Sequence, residues 1–344
     1  MNELSEIDVA CSTDDNYAEY CAVMLCSVLE NNTDAKVTVH VLVDSLSESN
    51  KSILCSIVQR YGQRVVFYTV DSRKLKNVKY RKNNPLSSAA YYRIILGSAL
   101  PASVDKVLYL DCDLLVLGSL KSIWKLELKD YALAAVKDQE CLPVNEEHRL
   151  QLNFSYRQPY FCSGVMLINL KYWRENGVEE KLIEFACRDR VVYFHDQDAL
   201  NFLFAGKWIE LSPKWNRFNL VAFDKKNFET FDDEREYLYN PKVLHYASPA
   251  KPWFNICFVN MRAEFEKYYK ICFGRKLKRI KYRKNKLLIY KRIFELNVLN
   301  LIYRCPVFFG VIILFVLNTM KFIVTMLMGK NALKMKCFTI KNVR

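Results

Sequence analysis

The chain alternates short apolar runs with longer segments that are apolar at helical spacing. Four strands are predicted in the N-terminal half from runs rich in β-branched and aromatic residues: Ile7–Cys11, Val37–Val43, Val65–Val70 and Lys106–Leu110. Three helices are predicted between them: Tyr17–Leu29, a segment from a cap at Ser47 to about Tyr61, and Leu86–Leu96. Strands that alternate with helices predict an α/β fold with a mainly parallel sheet.

The same pattern continues beyond residue 130. Strands are predicted over Tyr131–Val136 and Val165–Leu170, and helices over Lys171–Cys187 and Asp196–Phe204. The chain has only 9 Gly, and it contains neither a Gly-x-Gly-x-x-Gly fingerprint nor a P-loop. A nucleotide, if one binds, is therefore not held by a glycine-rich cradle.

Two carboxylates end the strand that begins the stretch "KVLYLDCDLLVLGSL". Asp111 and Asp113 are two residues apart, so in an extended chain their side chains would share a face. Neighbouring carboxylates repel each other unless a cation lies between them, and oxygen ligands suit Mg²⁺ or Mn²⁺. Two readings stay open: a sugar transferase that holds a metal on a nucleotide diphosphate, and a phosphohydrolase whose first Asp is a nucleophile.

The charge of the chain is distributed unevenly. The formal net charge is +14, yet residues 267–344 carry 19 Lys and Arg and a single acidic residue, Glu295, whereas residues 1–266 sum to −4. If residues 1–266 bound nucleic acid, they would be expected to form a basic surface of their own. We therefore predict a mildly acidic domain over residues 1–266, a basic and apolar tail over residues 267–344, and no nucleic-acid partner.

The 12 cysteines do not form a recognisable framework. They are scattered, no Cys-x-x-Cys occurs, and the polar start Met1–Asp8 does not resemble a signal sequence. We expect a reducing cytosolic setting without disulfides, in which Cys11, Cys55 and Cys162 behave as small apolar residues. The spacing gives no support to a zinc site.

Five further stretches accompany "YLDCDLLV": "STDDNY", "AAYYRI", "FCSGVMLINLKYW", "HDQDALN" and "HYASPAKPW". In this order they resemble glycosyltransferase family 8, from about Ile7 to Phe254. The resemblance implies a GT-A fold, Rossmann-like with a mainly parallel sheet and flanking helices. It also implies a retaining transfer of galactose or glucose from a UDP-hexose with Mn²⁺ or Mg²⁺, to a glycan or glycolipid such as lipopolysaccharide or a capsule polysaccharide.

The resemblance assigns metal and phosphate roles. Asp111, Asp113 and His245 would bind the metal ion, and Lys251 would reach the diphosphate as a point charge. Cys112 and Ser248 belong to the same donor-binding set. The simpler alternatives are a histidine packed at a strand end and a solvated loop lysine, while Trp253 is expected to pack the loop.

The nucleotide and sugar ends are assigned in the same way. The uridine and ribose would be held by the "STDDNY" positions Ser12, Asp14, Asn16 and Tyr17; the alternative is an N-cap cluster opening the next helix, for which Asp15 also qualifies. Arg93 would contact the donor sugar or phosphate, or else pair with a surface acid.

The donor sugar would be surrounded by the candidate catalytic residues Asp138, Asp196 and Gln197, and by Cys162 and Ser163. Gln197 is a poor nucleophile near the anomeric carbon, so we expect a same-face attack with an oxocarbenium-like transition state. The family usually has Asn where Cys162 stands, which leaves the identity of the hexose open. "HDQDALN" could also be a helix start with acidic residues placed for the dipole.

The tail mixes basic and apolar residues. Residues 270–292 hold 11 basic residues and no acid, and residues 305–320 form a 16-residue run without charge before Lys321. A membrane-inserted hairpin, a single span and a buried helix all fit this pattern. We expect residues 270–328 to contact an anionic membrane surface, with the catalytic domain on the cytoplasmic face, where nucleotide sugars are made.

Two other classes of function compete with the transferase. An Asp-x-Asp phosphohydrolase would have Thr or Val where Leu114 stands, and it leaves the stretch from His245 to Trp253 unexplained. In the other class, a non-enzymatic protein, the tail would bind membrane or nucleic acid and the transferase domain would have lost its activity. The intact Asp pair argues against decay.

Overall fold

The structure is a computed structural model that describes residues 5–80, 88–138, 145–155, 158–218, 236–237, 239–247, 251–257 and 259–282. The strands are β1 (Ser5–Ser12), β2 (Ala35–Val43), β3 (Arg64–Thr69), β4 (Lys106–Leu110), β5 (Leu114–Val116), β6 (Leu133–Lys137), β7 (Phe161–Asn169), β8 (Trp208–Glu210), β9 (Arg217–Phe218) and β10 (Val243–His245). The α-helices are α1 (Ala18–Glu30), α2 (Glu48–Arg60), α3 (Leu96–Ala99), α4 (Lys121–Trp124), α5 (Glu146–Gln151), α6 (Leu170–Glu175), α7 (Val178–Cys187), α8 (His195–Leu203) and α9 (Val259–Phe273). Short 3₁₀ segments cover Ser72–Leu75, Ser88–Ile95 and Pro213–Trp215.

Seven strands form the main sheet, in the order β3-β2-β1-β4-β7-β6-β8. Strand β7 pairs antiparallel with both β4 and β6, while the other pairs in this sheet are parallel. The reversed strand therefore begins at the edge where its neighbours end. This edge is where ligands bind in open α/β sheets.

A second sheet of three strands, in the order β5-β10-β9, lies beside this edge. Strand β5 follows β4 after a three-residue turn, and it pairs antiparallel with β10 so that Leu114 lies opposite His245. The pairing brings a residue from late in the chain next to the end of β4.

The main sheet is buried on both faces. Val9 and Cys11 of β1 belong to the core that includes α1 and α2, whereas Ala10 belongs to the core on the other face, together with Tyr91 and Trp173. Strands covered on both sides are apolar at nearly every position, which explains the unbroken apolar runs in the sequence.

Most of the predicted elements are confirmed, including β1 to β4 and the capping of α2 by Ser47, whose side chain accepts a hydrogen bond from the Asn50 N–H. The single helix predicted over Lys171–Cys187 is wrong. It is divided into α6 and α7 at Gly177, whose φ of 57° requires the left-handed conformation that glycine adopts without strain.

Two boundaries also differ from the prediction. Strand β7 begins at Phe161, four residues earlier than predicted, so the "FCSG" stretch is part of the strand. The helix predicted over Leu86–Leu96 is a 3₁₀ segment from Ser88, followed by the short α3. The apolar pattern located both elements, but it does not distinguish 3₁₀ from α-helix.

Helix α9 packs against the N-terminal part of the domain. Asn31 donates a hydrogen bond to the Tyr268 hydroxyl at 2.7 Å, and Arg60 donates to the carbonyls of Ile271 and Cys272. The described chain continues in contact with the domain to Tyr282, whose N–H donates to Asn255. Among the described helices, none combines the length and the apolar character needed to cross a bilayer. The apolar run predicted over residues 305–328 lies outside the described residues.

Candidate functional site

Six segments meet at the edge where the parallel strands end. They are the β1–α1 loop, the β4–β5 turn, the end of β6, the start of β7, the start of α8 and the end of β10. The turn is fixed from both sides, because the Asp111 N–H donates to the Gly164 carbonyl at 2.9 Å and the Tyr246 N–H donates to the Asp113 carbonyl at 2.9 Å. The position of both Asp side chains is thus set by backbone hydrogen bonds to distant parts of the chain.

Asp111, Asp113 and His245 form the predicted cluster. One potential ligand atom from each of the three lies within 4.8 Å of the other two. His245 Nε2 is 3.2 Å from Asp113 Oδ1 and 3.8 Å from Asp111 Oδ2. The two Asp residues do not lie in an extended strand as predicted, because Cys112 and Asp113 form the turn after β4, but the carboxylates still face one centre.

A buried asparagine orients the His245 ring. Asn216 Oδ1 lies 3.0 Å from His245 Nδ1, so Nδ1–H donates and Nε2 is directed at the two carboxylates. Burial lowers the pKa of His245, but the Asp113 carboxylate outweighs this effect and raises the pKa to about 10. Asn216 was not predicted as a site residue, because nothing in the spacing of Asn216 and His245 indicates that β9 and β10 are neighbours.

Gly164 leaves the space that this cluster occupies. A Cβ added to Gly164 would lie 2.3 Å from His245 Cε1 and 2.9 Å from Asp111 Oδ2. Real Cβ atoms do not approach other atoms so closely, so any other residue would displace the imidazole or the carboxylate. The glycine of "FCSG" is therefore part of the site, a role that the sequence did not reveal.

Lys251 reaches the same cluster from the loop after β10. Its ammonium group pairs with Asp113 Oδ2 and donates to the Tyr246 carbonyl at 2.7 Å. Burial raises the pKa of Asp113, but Lys251 and His245 outweigh it and hold that pKa well below its usual range. The ion pair shows that Lys251 is not a solvated loop lysine. Ser248 lies outside the described residues.

Arg93 lies between two buried carboxylates. It pairs with Asp111 at 2.7 Å and with Asp196 at 3.0 Å, and it donates to the Ser163 carbonyl at 2.7 Å. Burial lowers the pKa of Arg93, but Asp111 and Asp196 more than reverse this and keep the guanidinium charged. The alternative of a surface ion pair is wrong, since Arg93 is 5% exposed.

A second group of polar side chains surrounds the start of α8. Gln197 accepts from the Ser163 N–H at 2.9 Å and donates to Asp138 at 3.2 Å, so its amide is held at both ends. Burial raises the pKa of Asp196 to about 6, although the Arg93 guanidinium acts in the opposite direction. Asp138, which follows β6, is thus brought next to Asp196 and Gln197 at the start of α8.

The β1–α1 loop contains the predicted nucleotide positions. Asp14 accepts hydrogen bonds from the N–H groups of Asn16 at 2.9 Å and Tyr17 at 3.0 Å, so its carboxylate stabilises the start of α1. The Ser12 hydroxyl is buried and donates to the Ala89 carbonyl at 2.8 Å. Asp15 does not cap α1, because its carboxylate accepts from Ser47 at the start of α2.

The neighbouring aromatic residues hold this loop against the end of the domain. The ring of Tyr17 packs edge-on against Trp253, with centroids 5.9 Å apart. Trp253 is buried and stacks on Tyr20 at 3.6 Å, which confirms that it packs the loop. The loop after β10 is thereby joined to α1.

The two cysteines predicted near the site lie in different surroundings. Cys162 is buried beside His245; burial raises the pKa of its thiol, while the hydrogen bond to His245 lowers it. Cys112 points away from the Asp pair, and its Sγ donates to the Ser12 carbonyl at 3.1 Å. Its side chain therefore faces the core, and the assignment of Cys112 to the donor-binding set stays a prediction.

Comparisons with known proteins identify the family and agree with the fold. The model of glycosyl transferase family 8 matches residues 8–257, more than half of the chain. General stress protein A of Bacillus subtilis is 31% identical over 254 residues, covering 71% of this chain and 86% of that protein. A lipopolysaccharide 1,2-glucosyltransferase of Escherichia coli is 30% identical over 259 residues, covering 74% of this chain and 75% of that protein.

The comparison with solved structures gives the same result. The crystal structure of the galactosyltransferase LgtC, in complex with donor and acceptor sugar analogs, is similar with a TM-score of 0.69 and 29% identity, covering 77% of this chain and 96% of LgtC. The predicted GT-A fold and family resemblance are confirmed, and the phosphohydrolase and non-enzymatic alternatives are wrong. The chain therefore belongs to glycosyl transferase family 8 and is a hexosyltransferase.

Proposed function

We propose that the chain transfers galactose or glucose, with retention of configuration, from a UDP-hexose to a glycan or glycolipid acceptor. The observation that carries the proposal is the convergence of Asp111, Asp113 and His245 next to Lys251, because this set can hold a divalent cation and a diphosphate. Relatives named as a lipopolysaccharide 1,2-glucosyltransferase and a lipopolysaccharide 1,3-galactosyltransferase support a lipopolysaccharide or related cell-surface glycan as acceptor.

The three residues fit a divalent cation of the Mn²⁺ or Mg²⁺ type. Two carboxylates supply hard oxygen ligands and charge, His245 supplies Nε2, and Gly164 leaves the space they need. When bound, such an ion neutralises the diphosphate and stabilises it as a leaving group. Lys251 would contribute a further positive charge at the diphosphate, and the loop that carries Asp14 and Tyr17 would hold the uridine.

The sugar would lie against Asp138, Asp196 and Gln197. The amide of Gln197 is held by Ser163 and Asp138, so its oxygen has a fixed direction when the sugar arrives. Such a preorganised dipole stabilises positive charge that develops at the anomeric carbon. An LgtC variant described as an active-site mutant exchanges a glutamine for a glutamate, which supports a functional glutamine in this family.

Arg93 has an indirect role in this proposal. Because it pairs with Asp111 and Asp196 at once, it fixes the carboxylate at the metal end relative to the carboxylate at the sugar end. Cys162, beside His245, is a smaller side chain and a weaker hydrogen-bond donor than asparagine. It is the position at which we expect the choice of hexose to be set.

The basic tail would attach the enzyme to the cytoplasmic face of a membrane. Residues 267–282 hold seven Lys and Arg and no acid; the first seven residues of this range form the end of α9, which packs on the domain, and the others follow it. Each such residue near an anionic lipid surface contributes about 1 kcal/mol of attraction. The predicted boundary between a catalytic domain (1–266) and a tail (267–344) falls inside α9, whose Tyr269 and Cys272 belong to the domain core. The membrane-associating part of the tail would therefore begin after this helix, and it would bring the active site close to a lipid-linked acceptor.

Donor hydrolysis tests the proposed reaction. The full chain is incubated with Mn²⁺ and with UDP-glucose, UDP-galactose, UDP-N-acetylglucosamine or UDP-glucuronate, and released UDP is measured. We expect metal-dependent release from UDP-glucose or UDP-galactose, lowered at least about 100-fold by Asp113→Ala. The matched control Asp34→Ala removes an exposed carboxylate paired with Lys121 and should leave the rate unchanged. Release that does not depend on metal, or equal rates in both variants, would contradict the proposal.

Gln197→Ala tests the role of the amide at the sugar. Because the amide acts mainly in the transition state, we expect kcat to fall by about 100- to 1,000-fold, while the Kd for the UDP-sugar changes less than about threefold. Gln59→Ala, an exposed position on α2, is the control and should change neither quantity. Equal losses in kcat and in donor affinity would show instead that Gln197 binds the ground state.

The pH dependence of metal binding tests the ligand role of His245. The pKa of about 10 means that the imidazole is protonated at neutral pH and must lose this proton to bind a metal ion. The affinity for Mn²⁺ should therefore rise about tenfold per pH unit between roughly pH 6.5 and pH 8, measured by calorimetry on the full chain. His245→Gln should remove most of this dependence. An affinity that stays constant with pH in the unaltered chain would contradict binding of the ion in exchange for a proton of His245.

A further inference from the structure

Three buried cysteines lie directly behind the Asp pair. Cys11 is near the end of β1, Cys21 is in the first turn of α1, and Cys112 is the residue between Asp111 and Asp113. Their three Sγ atoms all lie within 4.8 Å of one another, and the residues are 0%, 0% and 7% exposed. Sequence spacing could not show this cluster, because the fold brings the third cysteine from about 90 residues away.

The distances suit sulfur atoms that share an ion. Cys11 Sγ and Cys21 Sγ are 3.6 Å apart. Around a zinc ion with Zn–S bonds of about 2.3 Å, sulfur atoms lie roughly 3.8 to 4.0 Å apart, whereas the two sulfurs of a disulfide are about 2.05 Å apart. Only small side-chain movements would therefore place the three thiolates around one cation.

The cluster is distinct from the carboxylate site in position and in chemistry. Among the described residues, only these two groups bring three potential ligands so close together. Asp111 and Asp113 turn hard oxygen atoms toward His245, while Cys112 turns its soft sulfur toward the core. Thiolates select zinc-like and copper-like ions, and carboxylates select Mg²⁺ or Mn²⁺. The short segment 111–113 would thus contribute ligands to two sites that prefer different metal ions.

We propose that Cys11, Cys21 and Cys112 form a binding site for a thiophilic d¹⁰ cation of the Zn²⁺ class. Binding of M²⁺ converts three thiols into three thiolates and releases three protons, leaving a centre with one negative charge. The Ser12 carbonyl, which accepts the Cys112 hydrogen bond, is released by this deprotonation and is a neighbouring oxygen donor. No oxidant or reductant is required.

The site would tie together the three elements that support the Asp pair. The cation would join β1, α1 and the β4–β5 turn through side chains, in addition to the backbone pairing of β1 with β4. A cation that binds only the folded chain stabilises the folded state by mass action, so it should raise Tm. The proposal does not depend on the donor, the acceptor or the reaction proposed above.

Cadmium is the probe, because Cd²⁺ bound to thiolates absorbs in the ultraviolet through sulfur-to-metal charge transfer. The reduced full chain is titrated with Cd²⁺, and the absorbance and Tm are followed. We expect saturation at one thiolate-bound ion per chain. Cys21→Ala should lower the apparent affinity by more than about 100-fold and abolish the rise in Tm. Cys11→Ser removes a different ligand and should give the same loss, which covers a failure of Cys21→Ala to fold.

Two matched variants locate the signal. Cys26→Ala removes another buried thiol of α1, which belongs to a pair with Cys272, and it should keep the full signal. Asp113→Ala removes the carboxylate site and should also keep it, so this result is separate from any failure of the transferase assay. Absence of charge-transfer absorption in the unaltered chain, or its persistence in both Cys21→Ala and Cys11→Ser, would overturn the proposal.

Discussion

The structure depends on holding two carboxylates, Asp111 and Asp113, close together at a mostly buried edge of the sheet. Two such charges repel each other, and the repulsion grows as water is excluded. The chain balances them with cationic groups from two distant segments: Arg93 pairs with Asp111, while His245 at the end of β10 and Lys251 in the loop after it face Asp113. The Asp pair and these two segments lie far apart in the sequence, so the site forms only when the domain has folded.

The reversed strand β7 is the topological feature that makes this arrangement possible. Because it runs against its neighbours, its first residues lie at the edge where β4 ends. Gly164 leaves space there for His245, while Ser163 contacts both Arg93 and Gln197. The metal end and the sugar end of the proposed donor site are thus joined through two adjacent residues. A substitution that fills the space at Gly164 would disturb the metal end first.

The cations that balance the Asp pair also suggest how the site would respond to its ligands. Lys251 neutralises Asp113 in this structure, yet its proposed role is at the diphosphate. A divalent ion bound by the two carboxylates would replace the charge of Lys251 on Asp113, which frees the ammonium group for the phosphate oxygens. Metal binding and donor binding would then favour each other, because both need the ion pair between Lys251 and Asp113 to be broken, and whichever ligand binds first breaks it for the other.

Much of the fold and part of the site could be predicted from the sequence. The strands could be located because both faces of the sheet are covered, which makes them apolar throughout. Asp111, Asp113 and His245 could be identified because the stretches "YLDCDLLV" and "HYASPAKPW" resemble motifs of the family. Asn216 and Gly164 were missed because their roles depend on which side chains lie opposite them after folding. The direction of the Cys112 side chain could not be predicted for the same reason, since a residue between two candidate ligands can turn its side chain toward the core. Local patterns do not specify such contacts between distant segments.

The most direct measurement is a crystal structure of the full chain with Mn²⁺ and UDP, in which anomalous scattering locates the manganese. The account predicts one anomalous peak bonded to Asp111, Asp113 and His245 Nε2, with His245 Nδ1 still held by Asn216 and with Lys251 moved from Asp113 to the diphosphate. A peak elsewhere in the chain, or a UDP molecule bound while Lys251 stays paired with Asp113, would contradict it.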